Sequence, residues 1–275
     1  MEYIMRRHAL AARTTYEVNK MNRVIYFELP SDDPKKLSEF YARVFGWQVR
    51  TIPEIDDYYV ILAGTGSEHG INGGIMGRNM DYIANHIAVD DVDKFMKLAK
   101  AKGAEMITPK MHVDQMGDFA WCADPEGNEF VLAKLDPDYN AFMNKLLAQG
   151  DPLTQVRGRM VHFELPADDP DKLVEFYTDV FGWNIQKWDG PIEYYMVSTG
   201  PESEPGIDGA IMRRGNVQGA VNTFGIGDID AIIQKVVDYG GESVMPKEEI
   251  PGVGWFAYCS DPQGNLFGLM EPANC

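Results

Sequence analysis

Apolar and polar residues alternate along residues 22–29, NRVIYFEL, which puts Val24, Tyr26 and Glu28 on one face of a predicted strand. Pro30 is expected to end it. The period then lengthens. Asp33-Pro34 reads as a helix N-cap and first helical residue, and KKLSEFYARVFGW sets Leu37, Phe40, Tyr41 and Val44 on one helical stripe that Gly46 closes. Strands are predicted at Trp47–Ile52 and Tyr58–Ala63, then at Asn72–Gly77 after a glycine-rich turn, so the unit is β-α-β-β-β. The same order follows at once. A strand at Ala84–Val89 and a helix at Val92–Lys102 lead to strands near Glu105–Lys110 and at Phe119–Ala123. The turn Asp124-Pro125-Glu126-Gly127-Asn128 then gives a last strand, Glu129–Lys134.

The pattern then starts again. YFELPSDDPKKLSEFYARVFGW (Tyr26–Trp47) returns as HFELPADDPDKLVEFYTDVFGW (His162–Trp183), with sixteen of 22 positions identical at an offset of 136. Repetition on that scale means one fold written twice. Strands are predicted near Arg159–Leu165, Trp183–Lys187, Tyr194–Ser198, Gly209–Arg213, Val221–Ile226, Glu242–Lys247, Phe256–Cys259 and Leu266–Met270, and helices at Pro170–Phe181 and Ile229–Tyr239. The division expected is a leader at 1–21, poorly ordered unless it packs on a neighbour, a first domain at 22–135, a linker at 136–158 and a second domain at 159–275. Asn140–Gln149 in the linker reads as a short helix.

Composition narrows the function. The chain has 275 residues, of which 25 are basic and 42 acidic, for a net charge of −17. Such a surface argues against nucleic acid and anionic membranes and would favour a cationic ligand. No apolar run reaches the length of a membrane span, and the first twenty residues have no apolar core of the kind a secretory signal carries. Cys122 and Cys259 occupy equivalent repeat positions, FAWCADPEGN and FAYCSDPQGN, and with Cys275 make an odd total, which points to free thiols and a reducing cytoplasm. There is no zinc spacing, Walker loop, GxGxxG after a strand or GxSxG elbow.

The frame of strand, Asp-Asp-Pro, helix and EFYxxVFGW, followed by an acidic VDDVD or IGDID helix start and a DPxGN turn, resembles the vicinal oxygen chelate superfamily. That group includes glyoxalase I, extradiol dioxygenases, bleomycin-resistance proteins and fosfomycin-resistance enzymes. The resemblance covers roughly Asn22–Leu135 and Arg159–Glu271. It implies an α+β fold in which four βαβββ modules form two glyoxalase/bleomycin-resistance-like domains, each with a curved mixed sheet around a cleft.

In metal-dependent members three ligands, typically His, His and Glu, come from the first, fifth and eighth strands and leave room for substrate oxygens. Carried over, these positions hold Tyr26, Ala84 and Val131 in the first half and His162, Val221 and Gly268 in the second. Only His162 is a ligand type, so the resemblance implies no metal site of the usual pattern and no cofactor. Alternation brings Glu28, His86 and Glu129 into the first cleft beside Tyr26, where they form a shifted ligand set for a divalent metal, an ion pair, or a general acid/base group. The second cleft receives His162 and Glu164, with Thr223 and Leu266 opposite. Candidate catalytic residues are Glu28, His86, Glu129, His162 and Glu164, and candidate ligand-binding residues are these five with Tyr26 and Thr223. One of Tyr58-Tyr59 and one of Tyr194-Tyr195 lines a cleft or packs in the core, and the equivalent Trp121 and Tyr258 carry the same ambiguity.

Three functions follow. The first is a cytoplasmic binding module that holds a cationic or aromatic small molecule without a metal. The second is a glyoxalase-like lyase or isomerase, or a dioxygenase, on the shifted residues. The third is a structural or interaction protein with vestigial clefts. Whether the halves pair within a monomer or across a homodimer is left open by the sequence.

Overall fold

The Asp-Asp-Pro signal builds the same helix twice. Helix α1 (Pro34–Phe45) starts where the Asp33 side chain accepts the Lys36 backbone N–H at 3.1 Å, and it stops at Gly46, whose φ of 73° is left-handed. Its repeat begins where Asp169 accepts the Lys172 N–H and stops at Gly182, with φ of 71°. The structure, a computed structural model, describes residues 22–52, 55–64, 69–78, 80–149 and 158–273. The leader at 1–21 and Cys275 lie outside the described residues.

In the first half β1 (Val24–Ser31), α1, β2 (Gln48–Thr51), β3 (Tyr58–Leu62) and β4 (Asn72–Gly77) make one βαβββ module. The second module is β5 (Ala84–Ala88), α2 (Val92–Ala101), β6 (Glu105–Met106), β7 (Met111–Val113), β8 (Gly117–Ala123) and β9 (Glu129–Leu135). Helix α3 (Tyr139–Leu147) follows. The second half repeats the order with β10 (Arg159–Ala167), α4 (Pro170–Phe181), β11 (Asn184–Lys187), β12 (Tyr194–Ser198) and β13 (Gly209–Arg213), then β14 (Val221–Gly225), α5 (Ile229–Asp238), β15 (Glu242–Ile250), β16 (Gly254–Ser260) and β17 (Leu266–Pro272). Each half forms one curled mixed sheet, in the order β2-β3-β4-β1-β5-β9-β8-β6 with β7 on β8, and β11-β12-β13-β10-β14-β17-β16-β15. The first and fifth strands are therefore central neighbours, with the last strand beside the fifth.

Several predicted boundaries move, two of them at prolines. Pro30 does not end β1, which runs on to Ser31 against β4. The ladder with β5 stops at Glu28, so beyond it one side of the strand has no bonds for the missing N–H to break. The strand predicted near Glu105–Lys110 is two short pieces, β6 and β7, interrupted around Pro109. Its counterpart β15 stays continuous through Pro246 by shifting register between Met245 and Glu248.

The repeated residues themselves join the halves. Trp47 stacks on Tyr41 with ring centroids 5.0 Å apart and meets Phe224 of the other half at 5.0 Å. Trp183 stacks on Tyr177 at 4.5 Å, and its indole N–H donates to the Asn22 carbonyl at 2.6 Å. The Tyr41 hydroxyl donates to Asp261 and the Tyr177 hydroxyl to Asp124, both at 3.0 Å, so each helical tyrosine binds the DPxGN turn of the opposite half. Asn265 and Asn128 from those turns donate to the carbonyls of Pro30 and Pro166, each at 3.1 Å. Between them Asn85 and Asn222 exchange two amide hydrogen bonds of 3.0 Å. The halves thus pair within the chain, around one continuous apolar core.

Asp124 is buried in this contact and accepts from the backbone N–H groups of Glu126 and Asn128 and from Asn128 Nδ2 and Tyr177. Burial outweighs these donors and pushes its carboxyl up to about 6. Because the folded value lies above the ordinary one, the stabilisation from this group is complete below about pH 4 and is lost as the pH rises through about 6. Carboxyl carbon NMR, assigned with Asp124→Asn, should show a midpoint near 6. A midpoint at the ordinary aspartate value would contradict this.

Candidate functional site

Strand pairing fixes what can meet on each inner sheet face. In the first half Tyr26 lies across from His86 and His86 across from Val131, while one row along Glu28 lies across from Ala84. Tyr58 and Trp121 reach this row from β3 and β8.

Glu28, 2% exposed, is the centre of the cluster. Its Oε1 accepts the Tyr58 hydroxyl at 2.9 Å and its Oε2 accepts the Trp121 indole N–H at 3.3 Å. His86 Nε2 stands 3.2 Å from the same Oε2 but makes no aligned hydrogen bond. The Tyr26 and Tyr58 hydroxyl oxygens are 3.3 Å apart. Burial raises both phenols above their ordinary range, and the nearby Glu28 carboxylate adds to this. A Cβ on Gly74 would fall 2.6 Å from the Tyr58 oxygen, so the glycine makes the space in which the two tyrosines meet.

Glu129 does not join them. It lies in the Glu28 row with Ala84 between, so two inter-strand spacings separate the carboxylates. Its Oε1 accepts the Asp81 N–H at 3.2 Å, its Oε2 has no partner, and burial raises its pKa. Among the described residues no three His, Cys, Asp or Glu side chains gather as a ligand set.

Helix α3 closes this face. Its Tyr139, Met143 and Leu146 pack on Tyr58, Val60 and Leu62, with Met116 and Leu135 alongside, and Met80, Phe119 and Val131 fill the rest. Arg50 holds the end of the helix through the Leu146 and Gln149 carbonyls.

The second half repeats the cluster with changes. Glu164 Oε1 accepts the Tyr194 hydroxyl at 2.9 Å, and Oε2 accepts that of Tyr258 at 2.6 Å. His162 Nε2 is 3.0 Å from the Tyr194 oxygen. Burial lowers the His162 pKa, with Glu164 and Asp208 pulling the other way, so the neutral ring is favoured. Thr223 lies directly across from His162 and is 2% exposed, with no partner for its hydroxyl. Gly268 comes next in this row, and a Cβ there would sit 2.4 Å from Thr223 Oγ1 and 3.0 Å from the Phe256 ring. A carboxylate at that strand position has no room. The residues of this half therefore do not fit a His, His, Glu metal set, and neither do Tyr26, Ala84 and Val131 of the first.

No described residue takes the place of α3 here. Tyr194, Met196, Phe256 and Met270 are half-buried where their counterparts Tyr58, Val60, Phe119 and Ala133 are buried. Trp188, 36% exposed, stands beside Tyr194 at the rim, with ring centroids 6.4 Å apart. Of the ambiguous aromatics, Tyr58 and Tyr194 reach the cleft carboxylates, and Tyr195 is buried in the apolar core with its hydroxyl on Asp171 at 2.7 Å. The roles of Trp121 and Tyr258 as carboxylate donors were missed in the sequence. The signal available was that both aromatics recur at one repeat position.

Comparison with known proteins agrees with this architecture. The glyoxalase/bleomycin resistance protein/dioxygenase superfamily matches residues 23–132, and the bleomycin resistance protein-like N-terminal family matches residues 159–200. A Mycobacterium bovis protein named "Putative glyoxylase CFP32" is 26% identical over 266 residues, covering 90% of this chain and 94% of that one. The Arabidopsis thaliana protein named "Probable lactoylglutathione lyase, chloroplastic" is 24% identical over 277 residues, covering 91% and 73%. Among solved structures, the Mn(II)-bound glyoxalase from Novosphingobium aromaticivorans superposes with a TM-score of 0.62 at 16% identity, covering 92% of this chain and 82% of that one. Homoprotocatechuate 2,3-dioxygenase from B. fuscum gives 0.60 at 17% identity, covering 92% and 71%. At these identities the structures speak to fold alone.

Proposed function

The chain belongs to the glyoxalase/bleomycin resistance protein/dioxygenase superfamily, and from that premise we propose that it binds a small molecule in the cleft of its second half, without the metal that the family's three-ligand set would hold. One observation carries this reading. Helix α3 packs over the first copy, and among the described residues none does so over the second, where aromatic and methionine side chains line the inner face of the curled sheet above a few fixed polar groups. That is the make-up of a ligand pocket. Trp188, Tyr194, Phe256 and Tyr258 favour a planar ligand. A cation is less well served than the acidic composition suggested, because both Glu164 oxygens already accept tyrosine hydroxyls. The free, buried thiols of Cys122 and Cys259 support a reducing, cytoplasmic setting.

A thermal-shift screen of planar small molecules, run with and without EDTA, tests the reading. Ligands present at about a hundred times Kd should stabilise the fold by about 2.7 kcal/mol, equally in both series. Met196→Trp, which fills the cleft, should abolish the shift. Stabilisation that EDTA removes would count against the proposal.

The alternative of an acid/base or shifted-metal enzyme at Glu28 and His86 draws on their 3.2 Å approach. The burial of both side chains, and the separate anchoring of Glu129, weigh against it. Metal analysis of protein purified without chelator should find well under one ion per chain. A stoichiometric ion lost on Glu28→Gln would favour the enzyme reading instead.

A further inference from the structure

Two hydrogen-bond chains of the same design run through the two halves, and they end differently. A tyrosine hydroxyl carries one proton. Tyr194 lies between Glu164, at 2.9 Å, and His162 Nε2, at 3.0 Å. Both Glu164 oxygens accept tyrosine hydroxyls, so the Tyr194 proton goes to Glu164 and the Tyr194 oxygen is left to accept. His162 Nε2 must then bring the proton to that bond, and in a neutral ring Nδ1 keeps the lone pair. In the first half Tyr58 likewise donates to Glu28, so the proton between Tyr58 and Tyr26 comes from Tyr26. There the chain stops, because a phenol that has given its only proton has no second nitrogen or oxygen to offer. The Tyr26/His162 difference gives the second chain a further acceptor. Directly across the strand pair from it lies the Thr223 hydroxyl, buried and unpartnered.

We propose that Glu164 and Tyr194 fix His162 as the Nε2–H tautomer, so that the second cleft selects planar ligands carrying a hydroxyl or N–H donor for His162 Nδ1. Glu164 is then a positioning residue that acts through Tyr194 and does not touch the ligand. Thr223 Oγ1, which can both give and accept, serves as the second polar contact. This inference rests on the reading of the second cleft as the binding site.

The test uses the full chain and three probes: 2-naphthol, which has a donor; 2-methoxynaphthalene, which has the same ring system and no donor; and benzyltrimethylammonium, a cation. Long-range ¹⁵N–¹H NMR of the histidine rings should show the Nε2–H pattern for the resonance lost in His162→Gln. 2-Naphthol should bind about tenfold more tightly than its methyl ether, the worth of one hydrogen bond. Tyr194→Phe should narrow that ratio toward one and mix the tautomers, and His162→Tyr, which copies the first half, should abolish the preference. An Nδ1–H pattern in the unaltered protein would overturn the proposal, as would an unchanged tautomer and ratio in Tyr194→Phe. Equal binding of the two naphthalenes overturns donor selection and leaves the binding reading standing. Failure of both to bind, or tighter binding of the cation, overturns donor selection together with the ligand class on which it rests.

Discussion

Glu28→Ala is expected to destabilise the protein by about 3–5 kcal/mol, the range for removing one partner of a buried polar cluster. The loss is that large because one carboxylate serves three neighbours. Without it the Tyr58 hydroxyl and the Trp121 indole N–H lose their acceptor and His86 Nε2 loses the oxygen 3.2 Å away, at a site only 2% exposed where water cannot readily replace it. Urea unfolding monitored by circular dichroism measures the change. Glu28→Gln should fall between the two proteins, since an amide keeps the shape but turns an N–H toward groups that need an acceptor. In the second half Glu164→Ala should cost less, because Tyr194 and Tyr258 are half-buried and can turn to solvent. A loss below about 1 kcal/mol for Glu28→Ala, within the range of an ordinary surface change, would show the cluster to be idle, as a vestigial cleft requires.

Trp47→Ala should have an effect of similar size for another reason. The ring stacks on Tyr41 and Phe45, meets Phe27 and crosses to Phe224, and its indole N–H donates to the Gly158 carbonyl in the second half. Truncating an aromatic in such a setting costs about 3–5 kcal/mol. For a chain of this length that lowers Tm by about 10 °C. The form of the transition is also informative. Because the core is shared, calorimetry should give one endotherm in both proteins. A first-half endotherm that moves while a second stays fixed would show that the halves unfold independently.

Much of the fold was legible because its signals are local. Asp33-Pro34 and Gly46 mark a helix within a dozen residues, and the second copy at Asp169-Pro170 and Gly182 checks it, so α4 falls on its predicted bounds of Pro170–Phe181. What was misread depends on neighbours in space. Pro30 is tolerated only because no strand bonds to one side of β1 at that point. Alternation placed Glu28, His86 and Glu129 on one face correctly, but a shared face sets no distance along the row, and Ala84 keeps Glu129 apart. The donors on the carboxylates come from strands two and three places away in the sheet, an arrangement that no local window shows. Least legible was the linker helix. The sequence read Asn140–Gln149 as a short helix and said nothing of which cleft it would cover.

The reciprocal Asn85–Asn222 bond has a consequence for the history and handling of the chain. Asn85 on β5 and Asn222 on β14 hold equivalent repeat positions, so their mutual bond joins like surfaces of the two halves, as the isologous contact of a homodimer does. In such an arrangement the connection between the halves keeps the second at an effective concentration on the order of millimolar for the first. Halves severed between residues 149 and 158 should find each other again in solution. At high concentration, intact chains should trade halves with their neighbours, so that storage conditions alone would produce exchanged assemblies.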